Sequence, residues 1–138
     1  MTAATALAPL VRVHIAGSEA WALVLKTWLL SYAQSAFARQ MRGGIYHRHH
    51  HALAERLLSR GTLRVVSPSD CESQYCAWAL TEPGILHYAF TKPEYRRNGF
   101  AGMLIADLPP GFAYTHVTRE GLRLVRPPAQ YNPYLALE

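Results

Sequence analysis

The chain has 138 residues, half of them hydrophobic and 17% charged, which excludes a disordered or fibrous protein and fits one domain that buries about two-thirds of its unfolded surface. Its formal net charge is +5, with a pI near 9.5; this suits an anionic ligand and equally a nucleic-acid backbone, so charge alone excludes neither. Two cysteines, Cys71 and Cys76, lack C-x-x-C spacing, so they are too few for a disulfide framework and favour a reducing cytoplasm.

Residues 1–10, rich in Ala and Thr, read as a loose lead-in without the pattern of a secretory signal. Val11, Val13 and Ile15 alternate with Arg12 and His14, the period of a strand. Gly17-Ser18-Glu19 is a turn and helix start; Trp21, Val24, Leu25, Trp28, Leu29 and Tyr32 then recur at three- and four-residue spacing, predicting an amphipathic helix as far as Arg39. Its most apolar part, Trp21 to Leu30, is interrupted by Lys26 and is shorter than the roughly 20 residues a bilayer requires, so a non-membrane protein is expected.

Gly43-Gly44 breaks the pattern, and Leu53, Leu57 and Leu58 restore it in a second helix over residues 46–60 that Gly61 closes. Leu63, Val65 and Val66 form a strand stopped by Pro68-Ser69-Asp70, and residues 74–80 form the next. Glu82-Pro83-Gly84 turns the chain into an antiparallel partner strand, Ile85 to Thr91. A loop and a helix follow, ended by Pro109-Pro110-Gly111, and residues 112–117 read as a strand parallel to Ile85 to Thr91.

The stretch ILHYAFTKPEYRRNGFAGMLIAD, residues 85–107, has the layout of a phosphate-binding strand, loop and helix. A helix start leaves about four N–H groups unpaired, Gly99 and Ala101 allow close backbone approach, and Arg96 and Arg97 supply cationic donors. The dinucleotide and P-loop glycine patterns are absent; R-x-x-G-x-A is present instead.

FTKPEYRRNGFAGMLI resembles the acyl-CoA-binding segment of the GCN5-related N-acetyltransferases, a hydrophobic strand followed by an x-Pro-x-x-[QR]-x-x-G-x-[GA] loop and a helix. The resemblance covers about residues 11–118 and implies an α/β (α+β type) fold with a mixed central sheet in the order β-α-α-β-β-β-α-β, as one domain over residues 1–138. It implies that the loop Arg96, Arg97, Asn98, Gly99, Phe100, Ala101 takes the CoA pyrophosphate, that Ala89, Phe90 and Thr91 face the pantetheine arm, and that acetyl-CoA is the co-substrate for an amine. In size, and in WALVLKTWLLSY and LHYAFTKPEYRRNG, the chain is similar to compact acetyltransferase-like proteins of bacteriophages. Residues 119–138, broken by Pro127, Pro128 and Pro133, depart from the family. Either the last elements are abbreviated, or a partner such as a second copy completes the sheet.

Acetyl transfer needs a proton acceptor and an acid for the departing thiolate. His87 is the first candidate base, set against a hydrogen-bonded core histidine, and His116 is the second. Glu94 reads as structural. The family's usual tyrosine acid belongs to the eroded C-terminal part, which leaves Tyr114, Tyr131 and Tyr134 as candidates. YHRHHH at 46–51 offers His47 and His51 at i, i+4, but with no Cys or acidic ligand nearby no metal is expected, and the stretch reads as a basic helix face. Two further readings stay open: a catalytically degenerate binding protein, and a nucleic-acid-directed protein using the Arg- and His-rich helix, for which no recognition motif is present.

Overall fold

The computed structural model describes residues 10–138, so nearly all of the expected lead-in lies outside it. Six strands form one mixed sheet in sequential order: β1 (Val11–Ile15), β2 (Thr62–Pro68), β3 (Ala77–Glu82), β4 (Ile85–Thr91), β5 (Ala113–Tyr114) and β6 (Gln130–Tyr131). The first four pair antiparallel, and β4–β5 and β5–β6 pair parallel. Two helices, α1 (Trp21–Tyr32) and α2 (Gly43–Arg60), cover one face; the short α3 (Phe100–Leu104) lies on the other.

Period-two alternation decides which side chain meets which helix. Leu63 and Val65 of β2 and Trp78 and Leu80 of β3 pack under α1 and α2 with Trp28, Leu57 and Leu58, whereas Val66, Ala77 and Ala79 meet Leu104 on the α3 side. In β4 the alternation breaks. Leu86 joins the α3 side and Tyr88 the α1 side, because the register skips between Leu80/Thr81 and leaves His87 as an extra residue opposite no partner. This is a β-bulge, which re-aims the side chain it carries.

Several elements differ from expectation. α1 stops at Tyr32, not Arg39: Thr27 and Ser31 hydroxyls donate to carbonyls of the preceding turn, and Ser35 Oγ then accepts from Ala38 N (3.1 Å) to start a separate 3-10 turn. α2 begins at Gly43, earlier than expected, and β3 runs 77–82, not 74–80. Gly61 caps α2 in extended rather than left-handed geometry (φ −93°). Its lack of a Cβ matters for closeness: that atom would stand 3.0 Å from Thr81 O and 3.1 Å from Leu57 O. Gly61→Ala is therefore expected to lower the unfolding midpoint in urea, since helix and β3 backbone must part to admit the methyl.

The helix expected to reach the Pro109-Pro110-Gly111 stop has only five residues, and the strand expected over 112–117 has two. Residues 119–138 carry short 3-10 turns and β6. Arg60 Nη2 donates to Leu135 O at 2.6 Å and ties this segment to α2.

Candidate active-site cleft

The shortness of β5 creates the site. It pairs with β4 only at Ile85↔Ala113 and Leu86↔Tyr114, flanked by backbone bonds from Ala113 N to Gly84 O (2.9 Å) and from Thr115 N to Leu86 O (3.1 Å). Beyond that point the chains part. Alternate backbone groups of residues 88–91 then face no neighbouring strand, and between the two segments lies a cleft of about 560 Å³, within the range of small-ligand pockets. Tyr88, Ala89, Phe90 and Thr91 form one wall, residues 116–125 the other, and Arg96, Arg97 and Ala101 the mouth.

The mouth is shaped by two residues with positive φ, Arg97 (68°) and Gly99 (76°). Glycine adopts this conformation freely, but a non-glycine residue there is strained and is held by its surroundings. Asn98 Nδ2 supplies the clamp, donating to Tyr95 O (2.9 Å) and Arg96 O (3.3 Å). Among the described residues the backbone N–H groups of Arg97, Asn98 and Gly99 have no protein acceptor. Arg96 Nε donates to Thr91 O at 3.1 Å with its guanidinium over the Phe90 ring, so this side chain fastens the loop to the end of β4. Asn98, Gly99 and Phe100 shape the turn without lining the cavity. With α3 only five residues long, cations and loop amides rather than a helix dipole make the mouth electropositive.

Below the cleft runs a chain of hydrogen bonds. Glu82 Oε2, which also accepts from Arg60 Nε (3.0 Å), lies 2.6 Å from His87 Nε2. His87 Nδ1 is 3.0 Å from Thr115 Oγ1, Thr115 Oγ1 is 2.8 Å from His116 Nδ1, and His116 Nε2 is 2.9 Å from His50 Nε2. Burial pushes the Glu82 carboxyl up, but the bonds from His87 and Arg60 outweigh this and hold it below its ordinary value. Burial pushes His87 down against the opposing pull of Glu82. Burial, followed by the neighbouring His50 and His87, holds His116 well below 6.5, and burial lowers His50 to about 4. Burial thus favours the neutral form of all three imidazoles near pH 7.

His87 and His116 thus meet at the cleft, and both rings have both nitrogens engaged, but His87 is 1% exposed whereas His116 is half-buried. Tyr114 lines the cavity; Tyr131 packs on Tyr114 outside it, and Tyr134 is 71% exposed away from it. Glu94 lies in a 3-10 turn and does not line the cavity. Tyr88 lines the cleft unanticipated, its hydroxyl 2.7 Å from Ser31 Oγ. Ser31 donates to Thr27 O, so Tyr88 is the donor between them, and burial raises its phenol.

The His-rich stretch of α2 divides. His47, His49 and His51 face outward, whereas His50 turns into the core against Tyr32 and Tyr46. An acid does lie near His51: Glu55, one turn on, sits 3.1 Å from its Nδ1. Among the described residues no group of three or more His, Cys, Asp or Glu side chains could hold a metal ion, and no helix is long and apolar enough to cross a membrane.

No protein-family model matches the chain, and no curated protein is similar to it in sequence. Among solved structures it is similar to a GCN5-related N-acetyltransferase from Rhodopseudomonas palustris, at 12% identity and a TM-score of 0.51, over 72% of this chain and 64% of that one. It is also similar to apo YjaB from Escherichia coli, at 14% identity and a TM-score of 0.54, over 74% and 69% of the two chains. The chain therefore spans less than two-thirds of the Rhodopseudomonas structure's length. The likeness is one of fold: a six-stranded mixed sheet with helices, of the GCN5-related N-acetyltransferase type.

Proposed function

We propose that the chain is an acyl-CoA-dependent N-acetyltransferase, with acetyl-CoA as co-substrate and an amine as acceptor. The observation that carries this reading is the parting of β4 and β5 after two paired residues, which leaves the free edge of β4 along a cleft whose mouth holds two arginines.

On this reading the pantetheine arm, an amide-rich chain, hydrogen-bonds to the unpaired backbone of Ala89, Phe90 and Thr91, as an added strand would. The pyrophosphate lies at Arg96, Arg97 and the loop N–H groups of residues 97–101, where charge-assisted bonds are strongest. Asn98 and Gly99 act by holding the loop, and Phe100 by carrying it into α3. The thioester then points toward Tyr88 and His116, on the two cleft walls. Ser31 at the inner end and Arg119, Glu120 and Arg123 on the outer wall are the polar groups an amine acceptor would meet.

Calorimetric titration of the purified chain with acetyl-CoA tests the reading; saturable binding supports it, and its absence overturns it. Arg96→Ala is expected to weaken binding by about 1.5 to 3 kcal/mol, roughly 10- to 150-fold, because it removes a charged donor and also unfastens the loop from Thr91 O.

A further inference from the structure

We propose that Glu82, acting through His87 and Thr115, fixes His116 in its Nδ1–H tautomer and makes Nε2 of His116 the proton-accepting atom of the cleft. The chemistry assigned to His116 rests on the acetyl-transfer reading above; the tautomer assignment does not.

Each bond in the chain settles the next. Glu82 is ionised beside Arg60 and can only accept, so the atom 2.6 Å away, His87 Nε2, carries a proton. A neutral His87 then offers only a lone pair at Nδ1, and Thr115 Oγ1, 3.0 Å away, donates to it in preference to the more distant His87 carbonyl at 3.4 Å, since two lone pairs would otherwise face each other. With its one proton spent there, Thr115 must accept from His116, 2.8 Å away at Nδ1. His116 Nδ1 therefore bears the proton and Nε2 the lone pair, which here accepts from His50 Nε2–H at 2.9 Å. The opposite polarity would set a lone pair of His87 against a carboxylate, or require a second proton on this 1% exposed ring.

The groups packed against His116 favour the neutral ring and keep it in place. Trp28 and Tyr32 of α1 meet it edge-on at 5.3 and 4.9 Å between centroids, and Tyr88 of β4 at 5.8 Å. The titratable groups facing it are Tyr32, His50, His87 and Tyr88. Nε2 faces His50 of α2, which is buried and does not line the cleft, so an amine N–H takes the Nε2 lone pair only by displacing the His50 N–H. As the amine nitrogen attacks the thioester carbonyl, the new C–N bond forms and one N–H proton passes to His116 Nε2. The C–S bond then breaks, its electron pair leaves on sulfur, and the thiolate takes that proton back. The products are the amide and the free thiol, and His116 ends as it began. In the sequence Glu82 reads only as part of a turn, and Thr115 carries no signal; both are positioning residues, because they touch the reaction only through His116.

Long-range 1H–15N spectra of the imidazoles in the 15N-labelled full chain test this without an acceptor substrate. Expected are His87 as the Nε2–H tautomer, His116 as Nδ1–H and His50 as Nε2–H at neutral pH. Thr115→Val, nearly isosteric, cuts the chain: His87 keeps its tautomer, His116 becomes a mixture, and Thr115→Ser restores it. Glu82→Gln, whose amide can donate as well as accept, loosens both rings. A wild-type His116 in the Nε2–H form overturns the proposal, as does a His116 unchanged in a folded Thr115→Val. Acetyl-CoA titration of the same samples separates the two levels: expected tautomers without acetyl-CoA binding support the relay and overturn the acetyl-transfer reading alone.

Discussion

Acidification from about pH 7 to pH 4 is expected to cost the fold on the order of 3 kcal/mol through His50 alone. His50 has its imidazole held at about 4 in the folded chain against 6.5 for the free side chain, by burial among Trp28, Tyr32, Phe37 and Tyr46. A depressed folded value means that the unfolded chain binds more protons between about pH 6.5 and pH 4, so stability rises with pH across that window and is fully present above it. His116 and His87, both lowered, act in the same direction, and the Glu82 contribution is lost below its ordinary carboxylate range. Protonating His116 at Nε2 also sets two N–H donors against each other across the 2.9 Å contact to His50. Urea unfolding followed by tryptophan fluorescence at stepped pH measures the slope. A flat profile between pH 7 and pH 4.5 would contradict it, and His50→Phe should make the profile shallower in that range.

The strand–loop–helix stretch was legible because its signals are local. An apolar run of strand length, Pro93 in the loop and Gly99 at a position with φ of 76° each act on their own few residues. The parting of β4 and β5 was not legible, since residues 112–117 show the same apolar pattern whether they pair for two residues or six. Pairing is decided by where residues 116–125 go after β5, a matter of tertiary packing. The end of α1 failed for a chemical reason: periodicity continues past Tyr32, but hydroxyls at Thr27, Ser31 and Ser35 divert the backbone hydrogen bonds.

The same contrast holds at the cleft. His87 stands out as a histidine on a central strand, but the bulge that turns it toward Glu82 and Thr115 is a mismatch of one residue between two strands, which neither strand records alone. His50 sits in a run of histidines whose members are alike in sequence, and only the rotation of α2 against α1 selects it for burial.

Trp28 ties the core to the cleft, and its replacement should have the largest effect on stability of any single side chain considered. It is fully buried, stacks on Tyr88 at 5.1 Å and 13°, leans on Trp78 at 5.7 Å, and meets the His116 ring. Trp28→Ala is expected to lower the unfolding free energy by about 3 to 5 kcal/mol, the transfer and cavity cost of a buried aromatic. It should also broaden the His116 imidazole resonances, because the wall that orients that ring is gone. Trp28→Phe separates shape from polarity. The indole Nε1–H is buried with no hydrogen-bond partner among the described residues, and burying an unpaired donor costs about 1 to 3 kcal/mol. Phenylalanine drops that donor and keeps a ring against Tyr88, so it should cost well under half as much as alanine, with His116 still sharp. Equal losses for the two variants in urea unfolding would mean that the indole N–H has a favourable contact with one of the surrounding rings, and that the site depends on the indole itself rather than on an aromatic wall.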